Sequence, residues 1–215
     1  MSRTLCFLAL LAICVPAAFA TSGVDVSQPV STSTWQCMRS NDGVSFAIVR
    51  TFQSTGSNDP NGHTTVANAW AAGLAHVDVY MFPCFSCGNP AGQVSSAVSY
   101  LKNYGTVFGQ FWFDIEGTQY WGSSSSNQAF FSSMVSEGHS LGLHMGVYTS
   151  ASQWDPIMGS GYTGGSSLPL WYAHYDNNPS FSDFSPFGGW TKPNMKQYAG
   201  DVTMCGVGVD KDWYP

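Results

Sequence analysis

Gln110-Phe111-Trp112-Phe113-Asp114-Ile115-Glu116 is the stretch from which the architecture follows. Side chains alternate between the two faces of a strand, so Phe111, Phe113 and Ile115 share one face while Gln110, Trp112, Asp114 and Glu116 share the other. The apolar face has to be covered by helices. Both carboxylates therefore point into a closed sheet at the C-terminal end of a strand, which is where (β/α) barrels build their active sites. Four further segments repeat the pattern. Val24 and Val26 face out with Asp25 inward; Val77 and Val79 face out with Asp78 and Tyr80 inward; Val147 faces out with Gly146 and Tyr148 inward; and Val207 and Val209 face out with Asp210 and Asp212 inward.

Eight runs read as strands: 23–27, 46–50, 76–83, 107–116, 143–150, 168–176, 194–199 and 207–213. Helix signals fill the gaps between the first five, at 31–38, 64–72, 91–103 and 126–140, three of them stopped by Gly73, Gly105 and Gly142. Beyond Tyr148 the spacers turn rich in Gly, Ser and Pro. The expected fold is α/β, a modified barrel whose early strands run parallel through helical crossovers and whose last units have few helices.

Charged residues make up 9 % of the chain, against about 25 % in an ordinary soluble domain. The acidic balance of 13 Asp and Glu against 7 Lys and Arg provides no basic footprint, which argues against a nucleic-acid partner. Residues 1–20 read as a secretory signal peptide: Arg3 is its positive start, Leu5 to Val15 its apolar stretch, and Ala18-Phe19-Ala20 its cleavage pattern. No second apolar run is long enough to span a membrane. Residues 21–215 are then one catalytic domain, expected to be secreted, into the medium or a lysosome-like vacuole, and monomeric. Losing Arg3 takes the formal net charge from −6 to −7. Cationic attraction to an anionic surface is therefore not available, and low salt should bring little gain.

Four cysteines remain after the leader, an even number as expected in an oxidising compartment. Of the three possible pairings we favour Cys37 with Cys205, which joins the two ends of the chain, and Cys84 with Cys87, a local loop. Cys84-Phe-Ser-Cys87 also has redox-dithiol spacing, but a structural disulfide is the simpler reading. His144 and His174 have no partner at metal-ligand spacing and are read as core or hydrogen-bonding residues, so no metal or other cofactor is expected. Gly138-His139-Ser140-Leu141-Gly142 matches a nucleophile elbow in letters only, because a helix precedes it and a strand follows it.

Asp25, Asp114, Glu116 and Asp210 each close a strand with outward apolar neighbours, so one acidic site explains all four. At these residues the chain resembles glycoside hydrolase family 25, through Gly23-Val-Asp-Val-Ser27, Phe113-Asp-Ile-Glu116, Gly146-Val-Tyr-Thr-Ser150, Leu170-Trp-Tyr-Ala-His-Tyr175, Gln197-Tyr198 and Val209-Asp210. The resemblance implies a secreted lysozyme on a barrel of five βα units and three further strands. It also implies cleavage of the β-1,4 bond between N-acetylmuramic acid and N-acetylglucosamine in peptidoglycan, with Glu116 as general acid.

Chemistry points the same way. A glycosidic oxygen leaves poorly unless protonated, so Glu116 must hold its proton above the usual value of about 4.3. Asp114, about 6 to 7 Å away along the strand, and the apolar Trp112 are expected to raise it. Asp114 is expected to stay ionised and to orient the substrate acetamide in a substrate-assisted reaction. Asp25 and Asp210 would tune charge or position water; the alternative makes one of them a nucleophile or base. Tyr80, Trp112, Tyr148 and Trp171 are candidate stacking platforms for sugar rings. Asp78 is expected to press on Glu116 or to pair with Arg50. Two other functions stay open: a chitinase-like hydrolase, and an inactive glycan-binding module.

Overall fold

The computed structural model describes residues 21–215, so the expected leader lies outside the described residues. Among the described residues nine strands and five α-helices follow one another. The first half comprises β1 (Thr21–Val26), α1 (Thr32–Asp42), β2 (Phe46–Gln53), β3 (Ser57–Asn58), α2 (Gly62–Ala71), β4 (His76–Met81) and α3 (Pro90–Asn103). The second comprises β5 (Phe111–Asp114), α4 (Ser124–Ser140), β6 (Met145–Thr149), α5 (Ala151–Met158), β7 (Leu170–Ala173), β8 (Met195–Met204) and β9 (Val207–Tyr214).

The strands form one sheet in the order β1-β9-β8-β7-β6-β5-β4-β2-β3, and the pairing of β1 with β2 closes eight of them into a barrel. Strands separated by helices pair in parallel, as right-handed crossovers require. Between β8 and β9 only Cys205 and Gly206 intervene, both at positive φ (50° and 80°). That is the geometry of a two-residue hairpin, so β9 turns back antiparallel and then pairs antiparallel with β1 as well. The reversal sets Asp210 directly opposite Asp25.

Side-chain alternation divides the apolar residues into two sets. Val24, Val49, Val79, Phe113 and Val147 pack outward against the helices. Phe46, Ile48, Tyr80, Trp112, Tyr148, Trp171 and Met195 fill the barrel. The helices start where capping chemistry allows. Ser31 and Ser123 accept hydrogen bonds from the backbone N–H three residues on, and Asn89 caps α3 ahead of Pro90.

The element boundaries differ from the sequence expectations in places that bear on the site. The strand expected at 107–116 is ordered as strand only over Phe111–Asp114, so Glu116 lies just beyond its end. The strand expected at 168–176 shortens to Leu170–Ala173. α5 was not read from the residues, because Pro156 sits inside it and a Gly-rich loop follows; the burial of Trp154, Ile157 and Met158 holds it in place. The structure contains the disulfides Cys37–Cys205, tying α1 to the β8–β9 turn, and Cys84–Cys87.

Candidate active site

The C-terminal ends of β1 and β5, with the N-terminal half of the antiparallel β9, bring four carboxyl groups to one mouth and a fifth beneath it. Asp25, Asp114, Glu116 and Asp210 line a central cavity of about 70 Å³ together with Tyr80, Tyr148, Tyr175 and Gln197. A lobe of about 270 Å³ continues on one side, past Asp25, Asp210, Asp201 and Gln28. A lobe of about 350 Å³ continues on the other, past Glu116, Ser150, Gln153, His174 and Tyr175. Shared residues make these one elongated cleft, with Glu116 where the centre meets the larger lobe. The fifth group, Asp212, lies beneath the cleft and is fully buried.

Gln197 holds the centre together. Its Oε1 accepts from Tyr148 Oη (2.6 Å) and Tyr175 Oη (2.8 Å), while its Nε2 donates to Asp25 Oδ1 (2.7 Å) and Asp210 Oδ2 (3.2 Å). Asp210 Oδ1 also accepts from the Asp201 N–H (2.7 Å). The Glu116 backbone is fixed by the Trp121 indole N–H, which donates to its carbonyl (2.8 Å).

Burial in this mouth penalises charge. It raises the Glu116 carboxyl, and the negative field of Asp210 adds to the rise. Asp25 is pushed up to about 8 by burial and then by Asp210. Asp114 is raised well above the carboxylate range by burial, then by Glu116 and Asp25. Its Oδ1 is buried and accepts no hydrogen bond among the described residues. Burial and these fields favour a protonated Asp114 in the free protein, where an ionised one was expected, and Asp210, which the antiparallel return of β9 brings close, adds its like charge to Glu116.

Folding linkage follows from these shifts. A carboxyl raised in the folded state adds stability that is fully present below its unfolded value, near 4, and lost as pH rises through the folded value. For Asp25 the window runs from about 4 to about 8. The thermal midpoint should fall steadily between pH 4 and pH 8. Asp25→Asn should flatten that slope, as followed by circular dichroism; an unchanged slope would refute the assignment.

Other sequence-derived candidates land as follows. Tyr80 and Tyr148 border the cleft, but Trp112 lies deeper, its indole N–H donating to Asp78 (3.0 Å) at the barrel floor. Trp112 packs inside the barrel and is not among the residues that line the cleft. Trp171, 1 % exposed, touches the cleft wall while packing edge-on to Tyr148. Asp78 binds the Gln110 N–H (2.7 Å) and His76 (3.0 Å), while Arg50 pairs with Asp59 (2.9 Å), so neither part of the Asp78 expectation holds. His144 is exposed rather than core.

His174 gains partners that spacing did not show. Its Nδ1 lies 2.5 Å from Asp183, and ligand atoms of His174, Asp176 and Asp183 lie within 4.8 Å of one another. The buried Lys196 ammonium already bonds both carboxylates, at 2.8 and 2.7 Å, so the group is a salt-bridge cluster. Burial alone would raise Asp183, but the bonds from Lys196 and His174 outweigh it and hold the carboxyl well below its ordinary value.

Gln197, Tyr175 and Asp212 complete the site. Alternation had placed Asp212 inward without giving it a role, and Gln197 and Tyr175 stood only within motifs.

The family model described as lysozyme-like protein 1 matches residues 16–198. Probable glycoside hydrolase family 25 lysozyme 2 of Dictyostelium discoideum is 57 % identical, over 91 % of this chain and 92 % of its own length. The chain belongs to the family 25 lysozymes. Lysozyme-like protein 5 of Caenorhabditis elegans is 42 % identical to this lysozyme, over 97 % of this chain and 98 % of its own. Among solved structures, a family 25 lysozyme from Aspergillus fumigatus superposes with a TM-score of 0.74 at 22 % identity, over 91 % of this chain and 94 % of that one. A muramidase from Acremonium alcalophilum gives 0.73 at 20 %, over 91 % and 93 %. At that identity the structures speak for the fold, an α/β barrel, while the closer relatives make this lysozyme a glycoside hydrolase.

Proposed function

We propose that this lysozyme is secreted and hydrolyses the β-1,4 bond between N-acetylmuramic acid and N-acetylglucosamine in bacterial peptidoglycan, in defence or in the digestion of bacteria. The observation that carries the reading is a Glu116 carboxyl raised by burial and by Asp210, set in an elongated cleft beside Asp114 and Asp25. Glu116 donates its proton to the glycosidic oxygen as the bond breaks. Asp114 Oδ1, unpartnered in the free protein, is an acceptor for a substrate acetamide N–H. That hydrogen bond favours the ionised carboxylate, so Asp114 acquires its charge when substrate arrives. The acetamide oxygen then attacks the anomeric carbon on the face opposite the leaving group, and water opens the resulting oxazolinium-like ion with Glu116 now acting as base.

Turbidity loss of a wall suspension tests the activity, and product analysis tests the bond: a muramic acid reducing end is expected. N-acetylglucosamine reducing ends would indicate a chitinase-like specificity. Binding without turbidity loss would indicate an inert glycan-binding module.

The acid must be protonated to work, so kcat/KM should be greatest at mildly acidic pH and decline as pH rises through the raised Glu116 value. Asp210→Asn removes the repulsion and should move that alkaline limb to lower pH. A limb that stays in place would show that Asp210 does not set it.

A further inference from the structure

Asp212 is 0 % exposed and sits on the inward face of β9, diagonal across the β1–β9 pairing from Asp25. The Trp171 indole N–H donates to its Oδ1 (2.8 Å), whereas its Oδ2 is buried and accepts no hydrogen bond among the described residues. An orphaned carboxylate oxygen in a barrel interior costs about 1–3 kcal/mol, and more when charged. Among the described residues no cation is paired with it: Arg50 is committed to Asp59, and Lys196 to Asp176 and Asp183. The titratable groups that interact electrostatically with Asp212 are Asp25 on β1, Asp210 on its own strand and Tyr198 on β8, none of them a cation, with Gln197 and Trp171 as neutral neighbours.

A proton on Oδ2 resolves this. It removes the buried charge and turns the orphaned acceptor into a donor, for which the Asp25 carboxyl beside it is the partner. We propose that Asp212 is a positioning residue for the reaction: its buried carboxyl, carrying a proton on Oδ2, donates a hydrogen bond to Asp25 and holds it toward the cleft. With Gln197 Nε2 bonded to Asp25 Oδ1, the two donors fix Asp25 at the wall of the cavity that contains Asp114 and Glu116. Burial, followed by the fields of Asp25 and Asp210, favours the protonated form in the same direction. The proposal rests on the reading of the cleft as a muramidase site.

The variants Asp212→Asn and Asp212→Leu test it, assayed on a wall suspension across pH with the thermal midpoint of each recorded. Asparagine keeps an acceptor for Trp171 and an N–H for Asp25. Its kcat/KM should stay within about threefold of wild type at mildly acidic pH. Leucine offers neither, and kcat should fall by about 30-fold or more, with KM little changed. Should the leucine variant not fold, difference infrared spectroscopy carries the test: at pH 7 the wild-type spectrum minus that of Asp212→Asn should contain a protonated-carboxyl C=O band, the bands of the other raised carboxyls cancelling. An asparagine variant as impaired as the leucine one, or a spectrum without that band, overturns the proposal. Failure of the muramidase reading itself would look different, since wild type would then be inactive on the wall.

Discussion

Glu116→Gln should lower turnover on peptidoglycan by about a thousandfold, within the range of 10² to 10⁴ that a positioned general acid contributes. Glutamine matches glutamic acid in size and keeps the backbone hydrogen bond from Trp121, so the cleft should keep its shape and its affinity for glycan. The loss should fall on kcat, because the proton is delivered only as the bond breaks. A diagnostic follows from leaving-group chemistry. An aryl β-glycoside of N-acetylmuramic acid releases a stabilised phenolate that has little need of the proton, so its cleavage should suffer far less from the same substitution. Equal losses on both substrates would show that Glu116 does something other than protonate the leaving oxygen. Wild-type turnover on the wall would remove it from the mechanism.

Replacing both Cys37 and Cys205 by serine should destabilise the fold by about 5 kcal/mol in the chain-entropy account, because the crosslink closes a 168-residue separation. Domains have only about 5–15 kcal/mol in total, so the expected change is a drop of roughly 10–20 °C in the thermal midpoint. The disulfide joins α1 to the turn between β8 and β9, the two strands that carry Gln197, Asp210 and Asp212. Well below the new midpoint, activity should persist, since the catalytic carboxyls do not touch the crosslink. Removing Cys84–Cys87, which spans a separation of only 3, should cost about 2 kcal/mol or less. A Cys37/Cys205 variant melting within a degree or two of the parent would show that hairpin and barrel packing alone hold the chain ends.

Much of this site can be read from period-two alternation. It turns Asp25, Asp114, Asp210 and Asp212 inward from their immediate neighbours alone, because an apolar face that must meet helices leaves the other face for chemistry. Alternation does not give depth along the barrel axis. Trp112 and Glu116 share a face in the sequence, yet Trp112 bonds Asp78 at the floor while Glu116 reaches the mouth. Depth depends on how far each strand is staggered against its neighbours, which no single strand encodes. The cluster of His174, Asp176, Asp183 and Lys196 escaped notice for a related reason, since a loop return and a neighbouring strand bring its members together. In α5, helix-forming neighbours of Pro156 are stabilised by burial that only the assembled barrel supplies.

The sequence by itself determined the alternation that puts carboxylates inside, the order of the eight barrel strands and the first four helices, the glycine and capping signals at helix ends, and the motif series that marks the family. These are local or ordered features, readable within a few residues. Tertiary structure decided which carboxyls are pushed toward the protonated form. Burial and the antiparallel return of β9 set Asp210 opposite Asp25, press it on Glu116, and leave Asp114 and Asp212 each with an oxygen that lacks a donor. Protonation is governed by desolvation and by the distance between charges, and both come into being only when strands far apart in the chain close the barrel.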